Sequence, residues 1–454
     1  MTGPALRRGA IDGSAAPPRI VHLGLGAFHR AHQAWYTAHA ADAAEWTIAA
    51  FTGRGPRVAD ELSRQGGLYT LIERGPERDR AEIIPAIVEA HPAADTVRLE
   101  RLLAAPRTAL VTLTITEPAY RLRRDGSPDL DDPAVAADLV ALRRRQPPAT
   151  PLGRLLSGLR ARIAADASPI AIVPCDNIPD NGAFVRTGLL GLAEAVDPAL
   201  ADGIRDQVSF VSTSVDRITP RTTDADRAAA AALTGFHDTS PVVAEPFSDW
   251  VLCGHFPNGR PRWETAGARF VDDIEPWERR KLLMLNGAHS LLAGIGTLRG
   301  HTTVAEAMAD PDCRIWVHAF WDEATRQLPG GLDLDAYRGA LADRFANGRI
   351  AHHLAQISGE SATKLAIRVV PVLRAERAAG REGAASLRAL ATWIRLVCSG
   401  AGAPDAKRIA IEQARQAADP VRALLRILDP ALATEEIAAA VAAVRLEPAA
   451  AGAG

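Results

Sequence analysis

The stretch at 19–26, RIVHLGLG, constrains the fold of this chain more than any other, because a short apolar run ends there in two glycines and the following AFHRAHQAWYTAHAA reads as a helix. Strand, tight turn and helix in that order open a doubly wound α/β sheet. Gly24 and Gly26, with Leu25 between them and Ala27 and Phe28 after, let the backbone turn sharply and approach a pyrophosphate, whose charge then meets a helix N-terminus. The third position of the G-x-G-x-x-G pattern is His29, so the fingerprint is incomplete and needs support from the rest of the chain.

That support comes from further short apolar runs at 46–51, 109–115, 170–175 and 208–212, separated by stretches of helical character. Strands alternating with helices imply a mostly parallel sheet, whose ligands bind beyond the C-terminal strand ends. The residues just past those ends are polar: Thr116 and Glu117, then Asp176 and Asn177, then Asp216 and Arg217. From about residue 271 strand-like runs become rare, and 275–296, 304–327, 334–345 and 384–398 read as helices. The expected organisation is a Rossmann-like dinucleotide-binding domain over 19–270 and an all-α catalytic and substrate domain over 271–454. The acidic, proline-containing Asp272, Asp273, Ile274, Glu275, Pro276 forms the junction. The Ala-rich end, 449–454, reads as a frayed tail.

Composition narrows the function. A length of 454 residues fits two domains, and 47% hydrophobic with 23% charged residues is ordinary for a globular chain. A net charge of −2 leaves no cationic excess for a nucleic acid, and no apolar run is long enough for a membrane span. Cys175, Cys253, Cys313 and Cys398 lie far apart without CxxC or Cys/His spacing, so no metal site is expected. The first 18 residues carry no apolar core of a secretory leader, and the expected location is cytoplasmic.

Only three of the 52 cationic residues are lysines: Lys281, Lys364 and Lys407. Where arginine has replaced lysine almost everywhere, the survivors mark positions that need a compact ammonium able to lose its proton. Lys281 lies in EPWERRKLLMLNGAHSLLAGIG, among Leu and Met neighbours. On an ideal α-helix, with Lys281 at zero, Glu278 falls near ~60°, His289 near ~80° and Asn286 near ~140°, so the four share one broad face. Taken singly, each reads as a surface charge or a satisfied core polar group; together they outline a pocket. A desolvated lysine exchanges a proton with a substrate hydroxyl near neutral pH, and an asparagine amide donates to an oxygen whose charge changes during reaction. Asn177 and Asn286 are the candidate donors. None of Tyr36, Tyr69, Tyr120 and Tyr337 has a lysine four residues later, which removes the Tyr/Lys pair of short-chain dehydrogenases.

With these motifs in order, the chain resembles the mannitol dehydrogenase family, long-chain polyol and sugar-acid dehydrogenases that use no metal. IVHLGLGAFHRAHQAWYT is similar to its nucleotide loop, TLTITEPAY and VPCDNIPDNG to its second and third blocks, SFVSTSVDRITPRTT to its signature, and KLLMLNGAHS to its catalytic segment. The resemblance spans roughly 19–430. It implies Lys281 as general acid/base, Asn177 and Asn286 as holders of the reacting oxygen, His289 as substrate-orienting group, and Glu278 as a proton link to solvent. Glu117 and Asp216 match positions lining the cofactor site, although an ion pair of Asp216 with Arg217 or Arg221 explains that residue equally well.

In QISGESATKLAIR, Gln356, Lys364 and Arg368 resemble the substrate pattern of the family's fructuronate reductases, whereas its polyol dehydrogenases often carry Arg in place of Gln356. Glu360, Ser361, Ala362 and Ala366 depart from that pattern. The expected reaction is hydride transfer between a nicotinamide cofactor and a sugar-derived ketone or secondary alcohol, D-fructuronate/D-mannonate. The alternatives are a mannitol or arabinitol 2-dehydrogenase and, in another class, a non-catalytic sugar or nucleotide sensor. The resemblance implies NAD; NADP stays open because Phe51, Thr52, Gly53 and Arg54 supply no acid for the ribose hydroxyls, and Arg54 suits a 2′-phosphate. A monomer is compatible with the family.

Overall fold

The structure, a computed structural model, describes residues 3–10 and 16–446; the expected tail at 449–454 lies outside the described residues. The chain divides into two compact units between Glu275 and Pro276. That is later than the expected 270, because the short strand Arg269–Phe270 pairs in parallel with Asp249–Cys253 and so belongs to the first unit. The first unit also starts earlier than 19: Leu6 is fully buried and its amide donates to the His237 carbonyl at 3.0 Å.

The first unit is built on a six-stranded parallel sheet of β1 (Ile20–Leu23), β2 (Ile48–Phe51), β3 (Ile87–His91), β4 (Leu110–Leu113), β5 (Ile170–Pro174) and β6 (Val208–Phe210). In these labels the order is 3-2-1-4-5-6, the doubly wound dinucleotide topology. Burial on both faces explains why β1, β2 and β4 read as near-continuous apolar runs, interrupted only by His22 and Thr112, rather than alternating ones. Ile20 packs into one core with Tyr36, Trp250 and Trp263, while Val21 and Leu23 pack into the other with Leu155, Leu159, Val185 and Leu189. Two three-stranded sheets complete the unit; one pairs Ser212–Asp216 antiparallel with Asp249–Cys253, which fixes Val215, Asp216 and Arg217 at a strand end.

The helix expected after β1 is broken. It forms as Ala27–Ala31 and Gln33–His39 with a kink at His32, whose Nε2 meets the Asp249 carbonyl at 3.2 Å. His29, the residue in place of the third glycine, lies flat against His22 with ring centroids 3.3 Å apart. His22 also meets Thr112 Oγ1 at 2.8 Å through Nδ1 and Thr114 Oγ1 at 3.1 Å through Nε2. Burial pushes His22 down to about 3 and holds His29 well below its ordinary range, so both rings are neutral.

This pair has a consequence for acid stability. Unfolded His22 takes up a proton near 6.5, whereas folded His22 resists until about 3. Its contribution to stability is therefore complete above pH 6.5 and drains as pH falls toward 3, at up to about 1.4 kcal/mol per pH unit. Urea unfolding followed from pH 7.5 to 4.5 is expected to give a shallower loss of stability in His22→Gln than in wild type. Parallel slopes would remove His22 as the cause.

The second unit is helical throughout, apart from an isolated bridge between Thr303 and His353. The helix at Ala384–Cys398 has the expected bounds, and the one expected over 304–327 is divided into Val304–Ala309 and Pro311–Thr325 because Pro311 cannot continue the first and Asp310 caps the second. Among the described residues no helix is long and apolar enough to cross a membrane.

Candidate active site

In the first unit the switch point of the sheet lies between β1 and β4. Gly24 turns there with φ of 109°, and a Cβ on it would sit 2.1 Å from the Thr114 carbonyl oxygen; only glycine lets the two strand-end loops approach so closely. The amides of Gly24 and Leu25 donate to the Phe51 carbonyl at 2.9 and 2.8 Å, and the Leu25 side chain is buried, so these two residues shape the turn rather than offer donors. Gly26 is different: a Cβ on it would meet only the Gly24 oxygen, at 3.5 Å. Ala27 and Phe28 follow in the first helical turn, where amides have no intrahelical carbonyl to reach. An open glycine followed by such amides, at the switch point, fits a dinucleotide phosphate. Arg54 is exposed just past β2, and no acid stands beside it in the turn.

The loops after β4 and β5 carry Glu117 and Asn177, both exposed. Between them stands Asp176, buried, accepting from the amides of Thr116 at 2.8 Å and Ile115 at 3.2 Å and from the Tyr120 hydroxyl at 2.6 Å. Burial raises its carboxyl above the ordinary range although these three bonds oppose the shift. Thr116 has φ of 70° and ψ of 144°, a region normally reserved for glycine. Holding a β-branched residue there costs about 1 to 3 kcal/mol, and such strain gathers at functional sites. Asp216 is half-buried, and the Arg217 guanidinium beside it in sequence donates to the carbonyls of Ala31 and Glu245 and reaches Glu73.

In the second unit Glu278, Lys281, Asn286 and His289 lie on one helical run, but the run is not a single α-helix. Glu275–Arg280 is α-helical, Lys281–Asn286 is π-helical, and Gly287–Leu298 is α-helical again. The Gly287 amide reaches back five residues to the Leu282 carbonyl. A π turn holds one extra residue, which removes roughly 100° from the rotation accumulated beyond it. The ideal-helix angles are corrected accordingly: Asn286 moves to about 40° and His289 to about −20° from Lys281, so the π turn narrows the broad face to a stripe. Two carbonyls of the π segment also take donors from other helices, Trp321 Nε1 on Met284 at 2.9 Å and Arg368 on Asn286 at 3.5 Å. Gly287 has no side chain because the Phe320 ring occupies the space, 2.5 Å from where a Cβ would be.

Lys281, Glu278 and Asn286 are half-buried, and His289 is buried. The His289 ring stacks on Phe345 at 4.6 Å and meets His352 edge-on at 4.7 Å. Its Nε2 has no hydrogen-bond partner among the described residues. Burial first, and then the neighbouring His352, Arg344 and Arg368, hold it neutral, which leaves Nε2 a donor or an acceptor according to the tautomer. Phe345 and His352 had no signal in the sequence, since both come from other elements of the fold.

The helix Ser361–Arg368 carries Lys364 and Arg368. Lys364 Nζ donates to the Ile357 carbonyl at 2.9 Å, and its ammonium is pushed down by burial and then by Arg368. Arg368 donates to Ser290 Oγ at 3.2 Å, and its Nε is buried without a partner among the described residues. Burial lowers Arg368 to about 10. No carboxylate forms an ion pair with either cation among the described residues. Gln356 is exposed on Leu354–Ser358. Lys364 also lines a cavity of about 40 Å³ with Ser290, Ser358 and Ser361.

The fold brings together one set that the sequence spacing concealed, His301, Asp310 and Cys313, whose ligand atoms lie within 4.8 Å of one another. Arg299 already holds Asp310 at 2.6 and 3.2 Å, and its positive charge opposes a second cation there.

A parallel 3-2-1-4-5-6 sheet with a glycine turn at its switch point, in one chain with a helical unit bearing a lysine, asparagine and histidine stripe, defines a Rossmann-fold oxidoreductase with an all-helical second domain. The chain belongs to the mannitol dehydrogenase family: residues 18–265 match the mannitol dehydrogenase Rossmann domain and 273–445 the mannitol dehydrogenase C-terminal domain. It is 36% identical over 395 residues to D-mannonate oxidoreductase of Escherichia coli strain K12, covering 85% of this chain and 81% of that one. Among solved structures it matches a substrate-free D-sorbitol dehydrogenase with a TM-score of 0.86 at 29% identity, covering 94% and 92% of the two chains. The ternary complex of Pseudomonas fluorescens mannitol 2-dehydrogenase with NAD and D-mannitol matches with a TM-score of 0.75 at 34% identity, covering 94% and 90%.

Proposed function

We propose that this enzyme is a metal-independent, NAD-dependent reductase of a hexuronate ketone, interconverting D-fructuronate and D-mannonate. The observation that carries the choice of an acidic substrate is Arg368: a half-buried guanidinium whose buried Nε has no partner, and which no carboxylate ion-pairs among the described residues, is costly unless an anion joins it. Lys364, one helical turn before it, supplies a second cation. Similar identity to a mannonate and to a mannitol enzyme leaves this choice to the site residues.

Gly26, Ala27 and Phe28 hold the dinucleotide phosphates, with Glu117 and Asp216 on neighbouring strand ends. The bound nicotinamide supplies or accepts hydride. Lys281 gives a proton to the ketone oxygen during reduction and recovers it from solvent through Glu278. Asn177 and Asn286 donate hydrogen bonds to that oxygen as its charge grows, and neutral His289 orients a neighbouring hydroxyl. The substrate is a small molecule, the protein acts as a cytoplasmic monomer, and no nucleic acid or membrane takes part.

The test is consumption of NADH and NADPH, each with fructuronate, fructose and other keto sugars, before and after prolonged treatment with EDTA. Reduction of fructuronate that survives chelation is expected. Loss of activity restored by zinc would sink the lysine mechanism, and coenzyme binding without consumption would favour a sensor. Preference for NADPH would assign Arg54 to a 2′-phosphate.

A further inference from the structure

We propose that Asp176 is a positioning residue, a clamp that holds the strained Thr116 peptide and thereby sets the loop carrying Glu117 at the cofactor end of the sheet. The proposal rests on reading the switch-point crevice as a dinucleotide site. Two independent observations carry it. Thr116 occupies a backbone region that a β-branched residue does not adopt unaided. The one buried carboxylate beside it takes three donors from that same segment: the amides of Ile115 and Thr116 and the hydroxyl of Tyr120.

The clamp is itself anchored. The Asp176 carbonyl accepts from Ile178 at 2.8 Å and from Asn181 Nδ2 at 2.9 Å. Asn181 in turn is bonded to the Thr213 backbone in both directions, each at 2.8 Å. The strand ends after β4 and β5 and the strand Ser212–Asp216, which ends at Asp216, are therefore joined through two side chains. Asp176 directly precedes Asn177, so the same carboxylate that shapes the Thr116 turn fixes where the Asn177 backbone starts. Its role is internal: all three of its side-chain bonds point into the fold, leaving contact with ligand to its neighbours.

The chemistry selects a carboxylate rather than an amide. A carboxylate only accepts, and it faces only donors; an asparagine would turn an NH₂ group toward at least one amide N–H. Asp176→Asn is therefore expected to release Thr116 toward ordinary backbone angles, weaken NADH binding by about tenfold and lower turnover in step. Glycine adopts the Thr116 angles without restraint, so adding Thr116→Gly to Asp176→Asn should recover most of the lost affinity. Recovery by a backbone-permissive residue is an effect that loss of a merely structural hydrogen bond would not show.

The experiment measures NADH affinity by nicotinamide fluorescence, turnover on the best ketone of the wild-type panel, and amide hydrogen exchange of the 113–121 segment without cofactor. Tyr120→Phe, which removes one donor and leaves an apolar ring in an apolar site, should lower affinity about two- to threefold and decides the matter if Asp176→Asn does not fold. Faster exchange in the segment together with recovery by Thr116→Gly supports the clamp. Affinity and exchange unchanged in Asp176→Asn, or in Tyr120→Phe where only that variant folds, would overturn it, as would a loss that Thr116→Gly leaves untouched. A wild type that binds neither NADH nor NADPH would instead overturn the dinucleotide reading.

Discussion

Lys281→Arg is expected to slow the chemical step by about 10²- to 10⁴-fold while leaving NADH affinity within a factor of about three. The change keeps the positive charge and roughly the reach, but guanidinium does not give up its proton in any accessible pH range. It therefore separates two contributions of the residue: attraction for a developing oxyanion, which arginine retains, and delivery of a proton, which it cannot perform. A loss of that size corresponds to about 3 to 5 kcal/mol of transition-state stabilisation. The π turn bears on the expectation, because it brings Asn286 and His289 within a narrow stripe of Lys281 on the same helical run. Single-turnover measurement at saturating NADH isolates the step. Turnover near wild type would mean that the lysine supplies charge alone and that the proton travels by another route.

How much of this was legible in the sequence follows from what each residue's chemistry reveals locally. Gly24 was legible because its positive φ and the close approach of Thr114 both demand glycine, and the helix Ala384–Cys398 because fifteen residues carry one apolar period between clear breaks. β3 was not, since its IVEAH carries Glu89 and His91, whose side chains meet at 2.8 Å, and two polar residues in five mask a half-buried edge strand. The lysine, asparagine and histidine constellation was legible as residue types at a spacing, but not as a geometry. A regular 100° period has no term for an inserted residue, so the sequence placed Asn286 at the margin of a face where the π turn moves it inward. Thr116 and Asp176 mark the limit from the other side. Both were visible as polar residues past strand ends, yet a threonine gives no local sign of φ at 70°, and an aspartate does not announce that it faces inward. Arg368 was read as a substrate cation from the resemblance and from its charge; that no carboxylate pairs with it among the described residues is a property of the packed helices.

The choice between an acidic and a neutral substrate has the second-largest expected effect. If Arg368 and Lys364 meet a carboxylate, fructuronate should be reduced with a kcat/KM about 10 to 100 times that of fructose, which offers the same ketone without the anion. Each charge-assisted hydrogen bond contributes roughly 1.5 to 3 kcal/mol, so one lost contact already accounts for the gap. Arg368→Gln keeps a hydrogen-bonding side chain that can still reach toward Ser290, and it removes the charge. It should lower fructuronate reduction by about 10-fold or more and leave fructose nearly unchanged, so that the two substrates converge. The expected loss lies mainly in KM, because a carboxylate remote from the reacting carbon is bound equally in the ground and transition states. Salt offers an independent check: the preference for fructuronate should shrink less at high ionic strength than a contact to a fully exposed cation would, since Arg368 is half-buried with its Nε out of solvent. A wild type that prefers fructose or mannitol would move the enzyme to the polyol side of its family. An Arg368→Gln variant that loses both activities equally would place the guanidinium in support of Asn286, whose carbonyl it already meets at 3.5 Å, rather than on the substrate.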